Sequence, residues 1–258
     1  MSLIEIMVAV LLLTVIMLGL FSAFYHTQRA FRLSASQTDV LEAGRSTVAL
    51  LSRELQEVAA SHQADGVNLL ANTPAGAINN LPLLGGEFQT NRLEDLFFLT
   101  HDNDIWTGVG YFIVEKGQGV GSLYRFTLTN DLSNRRFRLS SLFSTYGTAT
   151  YESNTVGRVA EGIVHLSLRA FNADGLEYVP GDAPVFNNMA VWDGGFAFTN
   201  QMLPAFLELE LGLVDPQVYR QYKLINDANP AAGANFLRDQ AGKVYLFRQR
   251  IPIRNSQS

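Results

Sequence analysis

Hydrophobic and polar positions follow three successive patterns along the chain. From Ile6 to Phe24 no side chain carries a formal charge, a run of about nineteen residues and close to what a helix needs to cross hydrocarbon. Only Thr14, Gly19 and Ser22 interrupt it, and each is tolerated in a membrane helix. Then Ala30, Leu33, Val40, Leu41, Gly44, Val48, Leu51, Leu55 and Val58 recur at three- and four-residue steps, with Arg45, Arg53, Glu54 and Glu57 on other faces. That spacing predicts one apolar stripe on a helix. No proline precedes Pro74, and Gly66 offers a stop. A helix from Ser2 to about Ser61 would be roughly 90 Å long, so its outer half must pack on something soluble. The other reading is an anchor and a separate helix, with the break at Gly19 or within Ser34 to Asp39.

Further on the period becomes two. Tyr124, Phe126 and Leu128 alternate with polar residues, as do Val164, Leu166, Leu168 and Ala170, and Leu207, Leu209, Leu211 and Leu213. These are half-buried antiparallel strands by pattern. Asp95 to Thr100, Val109 to Glu115 and Lys243 to Ile251 are further candidates. Val67 to Arg92 reads as loop, with turn signals at TPAG, Asn79-Asn80 and Gly85-Gly86. One short helix is expected from Pro216 to about Leu224, capped by Asp215, with Asn226 to Gly233 a loop after it. The fold class is α+β, a long N-terminal helix laid on antiparallel sheet. Its expected parts are a membrane and assembly helix over 1–25, an amphipathic continuation over 26–65, and a β-rich body over 66–258.

Composition narrows the functions. The formal net charge is -5 and the pI about 5.4, with no block of Lys or Arg to grip phosphates, so nucleic acid is not an expected partner. There is no cysteine, which excludes disulfides, thiolate nucleophiles and Cys-based zinc sites.

Glu5 is out of place in an apolar start. An acid near the bilayer centre costs roughly 2.5–3.5 kcal/mol, and less near an interface. It either solvates among headgroups or finds a cation, and the nearest is the α-amino group of Met1, its own or a neighbouring subunit's. Met1-Ser2-Leu3-Ile4-Glu5 followed by an apolar helix resembles the mature N-terminus of type IV pilins and pseudopilins. The resemblance implies that a prepilin peptidase removes a short basic leader and N-methylates Met1, where that family usually has Phe. It also implies that Glu5 neutralises the amine of an adjacent subunit during assembly. Arg29 and Arg32 follow the apolar run, and the positive-inside tendency would place that end in the cytoplasm. The resemblance implies the opposite orientation, set by the leader.

In the body, LPAFLELELGL (Leu203 to Leu213) and a closing VYLFRQRIPI (Val244 to Ile253) follow an order similar to the J-type minor pseudopilins of type II secretion, or to related minor pilins. That likeness implies an inner-membrane protein with its C-terminal domain in the periplasm, then at a filament tip. Its partners would be other pilins or pseudopilins, met through the N-terminal helix and the stripe of Leu33, Val40, Leu41, Gly44, Val48, Leu51, Leu55 and Val58. It would initiate or cap a secretion pseudopilus. The alternatives are a minor pilin for pilus assembly, adhesion or DNA uptake, and a membrane-tethered periplasmic binding module.

No enzyme and no cofactor is expected. GQGVGS (Gly117 to Ser122) precedes an alternating strand where a phosphate loop would need a helix, so it reads as a hairpin turn. GxSxG, HExxH and Walker patterns are absent. His26, His62, His101 and His165 lack ligand spacing. His165 is expected on a solvated strand face, and His62 at the end of the long helix, where its charge suits the dipole. In HDNDIW, Asp102 and Asp104 form a weak calcium candidate, against which stands the ordinary turn chemistry of Asx clusters.

Overall fold

The structure is a computed structural model and describes residues 3–63, 66–82, 88–103, 105–115, 119–131, 138–179 and 189–254. The chain divides into two compact units, Met1–Asp39 and Val40–Ser258. Helix α1 (Leu3–Gln56) contributes to both.

The second unit is built on an antiparallel sheet. Its strands are β1 (Val67–Asn72), β4 (Asp95–Asp102), β5 (Ile105–Val114), β6 (Gly121–Asp131), β7 (Val156–Phe171), β8 (Met189–Trp192), β9 (Gly195–Thr199), β10 (Phe206–Val214) and β11 (Val244–Pro252). They lie in the order β11-β10-β7-β6-β5-β4-β1-β9-β8. A separate ribbon pairs β2 (Ile78–Pro82) with β3 (Phe88–Arg92). Strand β7 is the irregular strand of the large sheet. Its register against β6 slips between Gly121 and Leu123 and again between Leu123 and Tyr124, and against β10 between Gly212 and Leu213. Close to these slips lies Gly162, whose φ of +74° suits a residue without Cβ. A bulge there bends the strand and sharpens its twist.

Apolar residues cover both faces of the sheet. Leu96 and Phe98 of β4 join Val40, Val48, Leu51 and Leu55 of α1 in the main core. Phe97 and Leu99, pointing the other way, pack beneath α2 (Ser140–Thr148) with Leu142, Tyr146 and Phe126. Burial on two sides explains why β4 reads LFFL and not as an alternation. A third cluster sits under α3 (Pro216–Ala228) and α4 (Pro230–Asp239), with Val164, Val214, Val218 and Tyr222.

Several expectations are corrected. Helix α1 stops at Gln56 and not near Ser61, because β1 leaves the edge of β4 free beyond Phe98 and the following chain takes that edge. Val58 bridges Thr100, and the Ala59 amide donates to Leu99 O at 2.8 Å, so Val58 belongs to the sheet and not to a helix stripe. The segment 67–92 holds three strands where a loop was expected. TPAG does make a turn, with the Ala77 amide donating to Pro74 O at 3.0 Å and Gly76 at φ +80°. Asn226 to Gly233 is helical apart from Asn229, which ends α3 and caps α4 by accepting from the Ala231 and Ala232 amides. Asp215 caps α3 as expected. Helix α2 lies where no element was expected. The described part of GQGVGS sits between the antiparallel strands β5 and β6, with Gly119 at φ +85°, while Gly117 and Gln118 lie outside the described residues.

Gly44 of α1 lies against the last strand. A Cβ there would overlap the ring of Phe247 on β11. Alanine should raise helix propensity by about 1 kcal/mol, but forcing the ring aside should cost about 1–3 kcal/mol. Gly44→Ala is therefore expected to destabilise the protein, and to become stabilising by about 1 kcal/mol in a Phe247→Ala background. Urea unfolding of the four proteins in detergent micelles measures the sign change.

Candidate functional site

The first unit is a helical segment whose apolar side chains face outward. Leu3, Ile4 and the large apolar residues from Ile6 to Phe24 are all exposed, as are Tyr25 and Phe31. Within Ile6–Gln56 lies a window of mean hydropathy 2.7, none of it buried, so the helix is long and apolar enough to span a membrane. Its threonine hydroxyls bond to the helix's own backbone. Thr14 Oγ1 donates to Val10 O and Thr27 Oγ1 to Ala23 O, each at 2.8 Å. Neither would present an unpaired donor to lipid.

Of the sequence-predicted stripe, Val40, Gly44, Val48, Leu51 and Leu55 are buried and Leu41 is half-buried. Val40, Val48, Leu51, Leu55 and Val58 are members of the body's own core. Packing of these residues against partner helices is thereby corrected, since the chain's own sheet covers them. Met1, the side chains of Glu5 and Leu33, and Asp104 lie outside the described residues.

Three buried polar groups hold the body, and pattern reading found none of them. Glu54 leaves the last turns of α1 and enters the sheet. Tyr111 Oη donates to Glu54 Oε2 at 2.6 Å, Arg125 Nε donates to Oε1 at 3.0 Å and Oε2 at 3.1 Å, and Arg125 Nη2 lies 3.0 Å from Oε1. Burial, and then the adjacent Glu54 carboxylate, raise the Tyr111 phenol well above its usual range. Tyr111 thus stays a neutral donor.

The second and third lie on β7. Beyond Ile163 its edge is no longer taken by β6, and residues 92–94 fill the vacancy. The Arg92 amide donates to His165 Nδ1 at 3.1 Å, and the Glu94 amide to Leu166 O at 3.0 Å. Glu94 Oε2 accepts from the Leu168 amide at 2.7 Å and Oε1 from Ser167 Oγ at 3.0 Å. Side chains here complete a hydrogen-bond ladder that main chain leaves unfinished. Burial pushes the Glu94 carboxyl up to about 7, against the Leu168 and Ser167 hydrogen bonds and the Arg92 charge. His165, expected on a solvated face, is 6% exposed. The burial follows from this docked segment and from Glu210 and Arg248 on the neighbouring strands.

Next to this seam is a cavity of about 430 Å³ whose lining includes Glu94, His165, Arg169, Trp192, Phe196 and Glu210. Its charges largely compensate one another. Arg169 Nη2 meets Glu208, and Glu210 at 3.0 Å, while Nη1 lies 3.5 Å from Glu177. Arg248 reaches the same two strand glutamates.

The remaining histidines are not gathered. His101 stacks on Trp106 at 4.4 Å, and His26 lies against Tyr25. His62 is exposed and falls beyond the end of α1, which removes its expected place at the helix terminus. Asp102 accepts from Asn103 Nδ2 at 3.2 Å, and Asn103 has φ +53° in the turn between β4 and β5. Among the described residues, no three His, Asp or Glu side chains group as metal ligands.

Comparison with protein-family models, with curated proteins and with solved structures returns no match to this chain.

Two outcomes follow from the buried acids. Glu54→Gln leaves Arg125 without its partner charge, and is expected to cost about 2–3 kcal/mol in urea unfolding. For Glu94 the folded value lies above the ordinary 4.5, so its favourable contribution is complete below pH 4.5 and fades as pH rises to about 7. That loss amounts to about 3 kcal/mol. Glu94→Gln removes it. The wild-type-minus-variant unfolding free energy is therefore expected to decline across this window and to flatten above it.

Proposed function

We propose that the chain is a pilin-like structural subunit, a minor pseudopilin that initiates or caps a type II secretion pseudopilus at its tip, and not an enzyme. One observation carries the reading. The same helix presents exposed apolar side chains from Ile6 to Phe24 and supplies Val40, Val48, Leu51 and Leu55 to the core of a curled antiparallel sheet. An element with these two kinds of surface suits a subunit held in a bilayer before assembly. After assembly it would be held by the apolar helices of neighbouring subunits. The antiparallel body is the part that would project, in the periplasm and then at the tip.

In this reading Met1 is the methylated residue, after a prepilin peptidase has acted, and Glu5 pairs with the terminal amine of an adjacent subunit. A carboxylate desolvated among apolar helices gains strongly from such a partner, so docking at the correct axial step is favoured over others. No metal or cofactor enters the scheme.

Glu5→Ala, expressed in the source cells, separates anchoring from assembly. Membrane-fraction levels of the variant are expected to equal wild type, since removing an acid does not weaken insertion. Its recovery in sheared filaments, or cross-linked to other apolar-helix subunits, is expected to fall by about tenfold or more. Equal incorporation of the variant would end the role of Glu5. Wild-type protein found only as a membrane-bound monomer would end the subunit reading itself.

A further inference from the structure

We propose that His165 is an acid-sensitive latch: as the neutral imidazole it holds the Arg92–Glu94 segment on the free edge of β7, and when protonated it lets that segment go and turns to Glu210.

The tautomer is set by the geometry. Because Nδ1 accepts from the Arg92 amide at 3.1 Å, it carries no hydrogen, and the ring proton sits on Nε2. Nε2 is buried and makes no hydrogen bond, with Glu210 Oε2 3.6 Å away. One side of the ring is thus committed to β3, and the other points at an acid on β10 that it does not yet bond. Adding a proton makes Nδ1 a donor facing the Arg92 donor, so the hydrogen bond becomes a repulsion. The same proton strengthens the attraction to Glu210. Partner exchange is therefore built into the site, and it removes one of the hydrogen bonds that stitch residues 92–94 to β7.

The charges around the ring decide when this happens. Burial opposes protonation first, and the Arg92 guanidinium on β3 and Arg248 on β11 add to it, while Glu210 on β10 favours it. The balance lowers His165 below its ordinary 6.5. The latch is fully closed above pH 6.5 and opens as pH falls through the lowered value. Glu94, in the same seam, runs the opposite way. It takes up a proton as pH falls through about 7 and becomes better suited to its buried site. Whole-protein stability thus receives two opposing contributions over this range, and the latch is visible only as a local opening. The latch stands whether or not the chain is a filament subunit.

Amide hydrogen exchange on the full chain in detergent micelles tests it, comparing about pH 7.5 with a pH about one unit below the His165 ring's own titration midpoint, read from its imidazole 15N shifts, after correction for intrinsic exchange rates. Protection at Arg92 and Glu94 is expected to fall by at least about tenfold, with the centres of β5 and β6 unchanged. In His165→Asn, whose Oδ1 falls where Nδ1 does, the side-chain oxygen accepts from the Arg92 amide at any pH, so its protection is expected to stay constant. Constant protection in the wild type would overturn the proposal, and so would an equal loss in the variant. If the variant does not fold, imidazole 15N shifts of the wild type decide. The proposal requires an Nε2–H tautomer above pH 6.5 and an Arg92 amide shift with the same titration midpoint as the ring. An Nδ1–H ring would refute it.

Discussion

The body is organised by one contact, the burial of the last four turns of α1 against one face of the sheet. Leu51 and Leu55 are fully buried there, each stabilising by about 1.5–3 kcal/mol. Everything else adjusts to that contact. The sheet must curl for its strands to reach the helix, and β7 supplies the bend through its bulge. A curled sheet leaves strand edges of unequal length, and short segments complete them, residues 58–59 on β4 and 92–94 on β7. The opposite face still needs cover, which α2, α3 and α4 provide.

The buried polar groups come from the same constraint. A helix wedged into a sheet brings side chains from distant parts of the sequence into low dielectric, where an unpaired group is costly. The protein answers in two ways. Glu54 is given a guanidinium and a phenol as partners. Glu94 and His165 have their charged forms disfavoured and serve as surrogates for backbone partners. The first answer fastens the helix to the sheet rigidly. The second places ionisable groups at a joint and makes that joint responsive to pH.

What the sequence made legible was whatever repeats at short range. The apolar run, the helical stripe and the period-two strands β6, β7 and β10 all appear in the structure, as does the α3 cap at Asp215. Asn229-Pro230 carries the same cap-and-proline signal as Asp215-Pro216, and reading it as a loop overlooked a legible sign. Strands β1 to β3 were hidden because turn residues crowd them. They pair with distant strands or with one another across a ribbon, so their stability owes little to local propensity. Glu54, Glu94 and His165 were illegible for a different reason. Their partners lie on other elements, and no periodicity links Glu54 to Arg125 or Arg92 to His165. Even the stripe was read correctly as apolar while its covering surface was misassigned, because pattern records that a face is hidden and not what hides it.

The strand order also governs when the body can form. Strand β1 has β4 on one side, but its other edge is closed by β9, made from residues more than a hundred positions later, and β10 gains its outer neighbour only from β11. Pairings so far apart in sequence are slow, because the intervening chain must be closed into a loop before any contact rewards it. During synthesis, Val40, Val48, Leu51 and Leu55 emerge early and have only the cover of the earlier strands until those late strands have been made. The chain therefore passes through a stage at which that apolar stripe is partly bare, and a chaperone able to shield it would serve it most between the emergence of β1 and that of β11.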